Sequence, residues 1–520
     1  MGSVKEQARS CRLWVVIWAL VLVLVVVVAG AGSVVAARQI AEPELIAQVT
    51  EATEERRGGL LVDDVHLIES LPGGPPVSYS MRSGYITVDE KAGRALFFWF
   101  VEADVPGDSA SAPLTLWLNG GKCLSPGCSS VGGGMLSELG PFYPTPDGAH
   151  LQQNLYSWNK FSNLLFLESP AGVGFSYSNT TSDYVTGDKK TAEDSYNFLV
   201  QFFQLYPQYA NSRFYIAGES YAGHYVPQLA ALVLEQNKAA STKINLKGMM
   251  VGNAWTDTDI DNYGAIFYWW SHALISDATF KGISNECNFS AVGPLQTATD
   301  DKCTEYVDDA SEQLGSINIY DIYVDVCVSS HAQAETRHFG KQLGRTHFGG
   351  VSTRPLLKDS YDPCVDDEVE TYLNRPEVQV ALHANVTGLP YRWTDCSDIV
   401  DYSYDDLLSS ILPTYHTLIK SGLEILVFSG DVDAIVPVTG TREWLSQLPL
   451  KIKSEWRPWY VNSQVGGYVT EYDKLTFSTV RGAGHMVPYT EPARALHLFE
   501  SFINKTPFPN SLYLDDDGIV

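Results

Sequence analysis

The sequence predicts an α/β fold, with a mostly parallel central sheet, helices on both faces, and an inserted, disulfide-containing cap. Short apolar runs recur at 96–101, 114–118, 164–167, 214–217, 247–251, 423–428 and 475–480. Several are continuous and bounded by Gly, Asn or Ser, the mark of strands covered on both faces. Helical patterns at 191–205 and 225–235 lie between them, and alternating strands and helices imply parallel pairing. Between 256 and 365 the alternation fades and four cysteines appear, Cys287, Cys303, Cys327 and Cys364. That stretch is expected to cover the C-terminal edge of the sheet.

A chain of 520 residues can bury one large core carrying an insertion. The expected segments are a signal peptide at 1–37, a polar propeptide-like stretch at 38–57, core at 58–255, cap at 256–365, core again at 366–510, and a tail at 511–520. The leader reading rests on Lys5, Arg9 and Arg12 ahead of the apolar run 13–28, with small residues leading to a cut after Ala37. An uncleaved membrane anchor is the alternative; once cut, the chain is expected to stay off membranes. Within the cap, 329–354 is polar and rich in His and Gly, an exposed linker suited to excision. The net charge of −26 argues against a nucleic-acid partner and suits an acidic compartment, where protonation relieves self-repulsion. Sequons at Asn179, Asn288, Asn385 and Asn504 agree with export, the last weakened by Pro507. Cys11 leaves with the leader, so seven cysteines remain and one is unpaired.

The sharpest local signal is residues 213–227, Arg-Phe-Tyr-Ile-Ala-Gly-Glu-Ser-Tyr-Ala-Gly-His-Tyr-Val-Pro. A strand ends at Gly218, Ser220 sits on the turn, and a helix follows, as in a nucleophile elbow. The fifth position of the G-x-S-x-G pattern is Ala222 here, with Gly223 after it. A serine nucleophile needs a base, and the base needs an orienting carboxylate. The strand at 425–428 runs into Ser429-Gly430-Asp431-Val432-Asp433, where Asp433 is favoured over Asp431 for its reach beyond the strand end. The strand at 476–480 runs into Arg481-Gly482-Ala483-Gly484-His485. Serine, aspartate and histidine in that order, each just past a strand, fit the α/β-hydrolase arrangement.

The chain resembles the serine carboxypeptidases, particularly those of plants. The likeness spans about 60–508 and rests on Trp117-Leu-Asn-Gly-Gly121, Pro126-Gly-Cys-Ser-Ser130, Glu138-Leu-Gly-Pro-Phe142, Glu168-Ser-Pro-Ala-Gly-Val-Gly-Phe-Ser-Tyr177, Gly218–Pro227, Gly430–Pro437 and Gly484–Pro488. The resemblance implies catalysis by Ser220, His485 and Asp433, and an oxyanion hole from the N–H groups of Gly121 and Tyr221. It implies that Asn119, Gly120, Glu138 and Glu219 hold the terminal carboxylate of a peptide or protein substrate. It also implies disulfides Cys128–Cys396, Cys287–Cys303 and Cys327–Cys364, no metal or organic cofactor, and a vacuolar or extracellular destination. A homodimer stays open. Excision of 329–354 would leave two chains joined by Cys327–Cys364.

Two departures matter. Lys122-Cys123-Leu124-Ser125 separate Gly121 from Pro126, in the loop that should donate to an oxyanion. Either faulty exon joining put them there, or the protein is a weakened or repurposed hydrolase. Met486 after the histidine packs against apolar groups and cannot pair with a cation, so an apolar side-chain preference is expected. Rival readings are an acyltransferase acting on glucose esters and a secreted binding protein without activity. Glu219, Ala222 and Asn119 side with peptidases; only the four extra residues favour the binder.

Overall fold

The computed structural model describes residues 66–122, 125–290, 301–328, 361–402 and 406–510. The leader 1–37, the stretch 38–57, Cys123, the linker 329–354 and the tail 511–520 lie outside them.

All seven apolar runs are strands of one eleven-stranded sheet. In chain order the strands are β1 (Met81–Asp89), β2 (Arg94–Val101), β3 (Leu114–Leu118), β4 (Asn163–Leu167), β5 (Tyr177–Ser178), β6 (Phe214–Glu219), β7 (Leu246–Gly252), β8 (Glu424–Gly430), β9 (Ile452–Val461), β10 (Gln464–Tyr472) and β11 (Leu475–Val480). Their spatial order is β1-β2-β4-β3-β6-β7-β8-β11-β10-β9, with β5 beside β2. The six strands from β4 to β11 run parallel, and antiparallel strands flank them on both sides.

Side chains alternate across a strand, and here both faces are apolar. Phe97, Trp99, Trp117, Phe166, Tyr215, Met250 and Phe428 join one core, with Leu498 and Phe499 of the helix Pro492–Asn504. Phe98, Leu116, Leu165, Ile216, Val251 and Val427 join the other. That second face is covered by α1 (Asp188–Leu205) and α2 (Ala222–Gln236) through Phe198, Phe202, Val226 and Leu229. Phe98 meets Phe198 and Phe202 edge-on, contacts worth about 0.5–1.5 kcal/mol each beyond burial.

The stretch 256–365 contributes the helices Thr258–Ser271, Asp277–Glu286 and Asp301–Leu314. The first two start at Asp257 and Ser276, whose side chains accept from Ile260 N and Thr279 N, satisfying orphan donors of the first turn. These helices form a small apolar cluster of their own around Ile266, Trp269, Ile275 and Ile283. Trp269 Nε1 donates to Ala434 O and Tyr268 OH to Asp431 O, which ties the insertion to the loop after β8. Disulfides join Cys128–Cys396, Cys287–Cys303 and Cys327–Cys364, the three pairs the resemblance implies.

Candidate active site

β6, β8 and β11 lie close together in the parallel part of the sheet, so their C-terminal ends open on one edge. Ser220 follows β6 with φ +61, a left-handed conformation that costs about 1–3 kcal/mol and needs support from its surroundings. Ser220 N donates to Gly252 O, while Ser220 O accepts from Gly223 N and Trp255 N. A Cβ on Gly218 would lie 2.3 Å from Leu118 O, and one on Gly223 2.2 Å from Trp255 O. The close approach on the helix side therefore falls on Gly223, which leaves position 222 free to be alanine.

Asp433 is fully buried. Its Oδ2 meets His485 Nδ1 at 2.8 Å and accepts from Asn253 Nδ2 at 2.7 Å. Its Oδ1 accepts from Ile435 N at 2.8 Å. Asp431, the rival, instead accepts from Gly482 N and so links the two loops. His485 N donates to Tyr320 O, and the Tyr320 ring stands edge-on to the imidazole at 5.3 Å. Asn253 and Tyr320 are absent from the sequence expectations. Asn253 left a signal, a polar residue at a strand end on the same sheet edge; Tyr320 left none, since it acts through its backbone carbonyl and its ring.

Asp433 and His485 are joined, but the Ser220 hydroxyl points elsewhere. Ser220 Oγ donates to Gly121 O at 3.4 Å, and His485 Nε2 is buried with no hydrogen-bond partner among the described residues. Gly121–Lys122 and Ser125–Pro126 pair as a short antiparallel ladder. Gly120 O accepts from Gly127 N and Cys128 N, so the backbone is tied together on either side of the extra residues. A Cβ on Gly120 would lie 2.2 Å from Tyr221 N. The glycine thus sits directly against the N–H expected to face an oxyanion.

Beside the nucleophile lies a cradle of buried polar groups. Asn119 Oδ1 accepts from Trp117 Nε1 and Gly134 N, which fixes the amide orientation. Its Nδ2 donates to Glu138 Oε1 at 2.8 Å and Glu219 Oε1 at 3.2 Å. Glu138 ends a π-helical stretch, Val131–Glu138, a geometry common at functional sites. Both glutamates are buried, their carboxyls meet each other, and neither Oε2 has a hydrogen-bond partner of another kind among the described residues. Burial pushes both carboxyls up; the Glu138 charge pushes Glu219 further, well above the ordinary carboxylate range. Two carboxyls at one buried site hold a proton between them.

Met486 is half-buried against the apolar core. Asn179, Asn288 and Asn504 are exposed, whereas the Asn385 amide is engaged with Gln379 and Leu389 N. Glu168 is another buried acid the sequence did not single out as chemical. Burial pushes it up to about 7 against donors from Ser129, Phe175 and Trp393.

Comparison with known proteins identifies the family. The family model described as serine carboxypeptidase matches residues 72–505. Serine carboxypeptidase 24 of Arabidopsis thaliana is 48% identical over 447 residues, covering 85% of this chain and 93% of that protein. Serine carboxypeptidase-like 26 of the same plant is 50% identical over 441 residues, covering 84% and 93%. Among solved structures, the Saccharomyces cerevisiae prohormone-processing carboxypeptidase Kex1(delta)p is similar in fold, with a TM-score of 0.69 and 23% identity over 85% of this chain and 96% of that one. With a family model spanning most of its length and relatives near half identity, this chain belongs to the serine carboxypeptidase family.

Proposed function

We propose that the protein releases C-terminal amino acids from peptides at acidic pH through an acyl-enzyme on Ser220. The observation that carries the reading is the buried Asn119–Glu138–Glu219 cradle. It offers a proton shared between two carboxyls beside Ser220, which a terminal carboxylate can accept and an amide or ester cannot match. His485 Nε2 takes the Ser220 proton as Oγ attacks the scissile carbonyl. The Tyr221 N–H, with a second N–H from the Gly121 loop, stabilises the tetrahedral oxyanion. Asp433 holds the His485 tautomer, and His485 then protonates the leaving amine. Water repeats the sequence on the ester and frees Ser220. The expected setting is the vacuole or the extracellular space.

The test compares one peptide as free acid and as C-terminal amide, with Ser220→Ala and fluorophosphonate labelling as controls. Turnover of the acid far above the amide, lost together with labelling in Ser220→Ala, is the expected result. Equal turnover of both forms would remove the cradle from the mechanism.

A second reading, a slowed enzyme, is favoured by the Ser220 hydroxyl bonding to Gly121 O instead of His485. Removing Lys122–Ser125 would join Gly121 to Pro126 and free that carbonyl. A rise in kcat on deletion supports the slowed enzyme; an unchanged kcat shows that the four residues are harmless.

A further inference from the structure

A second carboxylate–imidazole pair lies behind the nucleophile turn. Asp188 opens α1 and His224 lies in the first turn of α2, and each side chain is only 1% exposed. His224 Nδ1 meets Asp188 Oδ2 at 3.2 Å. Asp188 Oδ1 accepts from the hydroxyls of Tyr221 at 3.1 Å and Tyr402 at 2.8 Å. The Tyr221 ring lies almost flat on the His224 imidazole, with centroids 4.9 Å apart at 18°. Tyr225 and Tyr402 meet the same ring edge-on at 5.3 and 5.8 Å. The residue immediately after the nucleophile is thereby gripped at its hydroxyl, on its face and along its edges.

As a source of stability this arrangement is poor. Burying an acid and an imidazole costs desolvation that their attraction often fails to recover, and apolar replacements can do as well or better. His224 Nε2 adds to the cost, being buried without a hydrogen-bond partner among the described residues. What such a cluster supplies is one orientation. Burial alone would raise the Asp188 carboxyl, yet its bonds and the His224 imidazole hold it below its ordinary value, so the acceptor for the Tyr221 hydroxyl is an anion. Hydrogen bonds to an ionised acceptor are shorter and stronger than neutral ones. The backbone of Tyr221 is confined from its other side by Gly120. An oxyanion donor works only within a few tenths of an ångström of its proper place, so the side chain of Tyr221 is where that placement can be controlled.

We propose that Asp188 and His224 are positioning residues that, through the hydroxyl and ring of Tyr221, hold the Tyr221 N–H where negative charge develops in the transition state. The inference rests on Ser220 being the nucleophile. It is tested on the full-length secreted protein with Tyr221→Phe, Asp188→Asn and the double variant, measuring kcat, KM and Tm. Each single change should lower kcat about tenfold, a fraction of what loss of a whole donor costs, with KM little changed. The double variant should fall no further than the weaker single one, because both changes break one linkage. Tyr221→Phe removes a single oxygen and decides the matter even if Asp188→Asn does not fold. A Tyr221→Phe enzyme with wild-type kcat, or falls in kcat that multiply in the double variant, overturns the proposal while leaving the nucleophile in place. A wild-type protein inert to both peptide and fluorophosphonate would overturn the nucleophile, and the inference with it.

Discussion

Replacing Glu219 by glutamine tests the carboxylate cradle directly. Glu219 Oε1 accepts from Asn119 Nδ2, a bond the glutamine Oε1 keeps. The glutamine Nε2 then takes the place of Oε2, which has no hydrogen-bond partner among the described residues, in a carboxyl that meets Glu138. The isostere fits, and it supplies permanently the proton that the wild-type pair must share. In the wild type, Glu219 is protonated in acid because burial and then the Glu138 charge raise it. As pH rises through that raised value the donor becomes an anion facing the substrate's own anion. Affinity for a free acid should then fall about tenfold per pH unit, as for any single essential proton, where tenfold corresponds to about 1.4 kcal/mol. The fall levels off when the hydrogen bond to the charged carboxylate is lost, about 1.5–3 kcal/mol, or about 10- to 150-fold.

The assay is KM for a blocked dipeptide acid and Ki for its N-blocked amino-acid product, both from pH 4 to 8 on a roughly half-unit grid. Ki is included because KM equals a dissociation constant only when chemistry is slow. Wild type should show the rise in both quantities, and Glu219→Gln should flatten it. The amide of the inhibitor should bind weakly at every pH. A glutamine variant with the wild-type slope, or an amide whose Ki follows the same pH curve as the acid, would refute the shared-proton argument.

Stability should decline from acid to neutral pH. Burial raises Glu168 and Asp261 to about 7, and burial with the Asp362 charge raises Glu368 to about 8. The folded state therefore holds protons that the unfolded chain releases near its ordinary values. That stabilisation is full below about 4 and lost by about 8; a Tm by differential scanning fluorimetry that rises over this window would contradict it. Asp433→Asn should lower kcat about 10⁴-fold, because Oδ2 accepts from both His485 and Asn253 and an amide nitrogen there would face two donors. Retained kcat would point to Asp431 as the acid. Gly120→Ala should lower kcat about 10²–10³-fold, because the new Cβ would lie 2.2 Å from Tyr221 N; an active alanine variant would remove that N–H from the oxyanion hole.

The centre of the sheet is legible in the sequence because its strands are buried on both faces. The runs at 96–101 and 425–428 are apolar without alternation, and they read as strands before any pairing is known. The edges do not read this way. β9 carries Lys453, Glu455 and Arg457 and is partly exposed, and β1 mixes Arg82, Ser83 and Thr87 into its pattern, so apolar periodicity passes over both. The chemistry follows the same division. Ser220, Asp433 and His485 each stand just past a readable strand. Asn253 stands past one as well, but an asparagine at a strand end is common and carries no motif. Tyr320 and Asp188 come from a loop of the insertion and from a helix start, brought to the site by packing that no short-range pattern encodes.

The insertion at Lys122–Ser125 shows how a fold can absorb a local change that its chemistry feels. Gly120 O bonds to both Gly127 N and Cys128 N, and Cys128 is anchored to Cys396. The backbone on either side of the extra residues is therefore held by contacts that do not involve them, and Asn119 keeps its bonds to Glu138 and Glu219. The group next to the extra residues that touches Ser220 is the peptide at Gly121, whose carbonyl receives the Ser220 hydroxyl. A donor loop that presents an acceptor to the nucleophile affects the oxyanion step and not substrate grip. The four residues should accordingly act on kcat and leave the pH dependence of KM as the glutamate pair dictates. A deletion variant that changed KM and left kcat alone would break that separation.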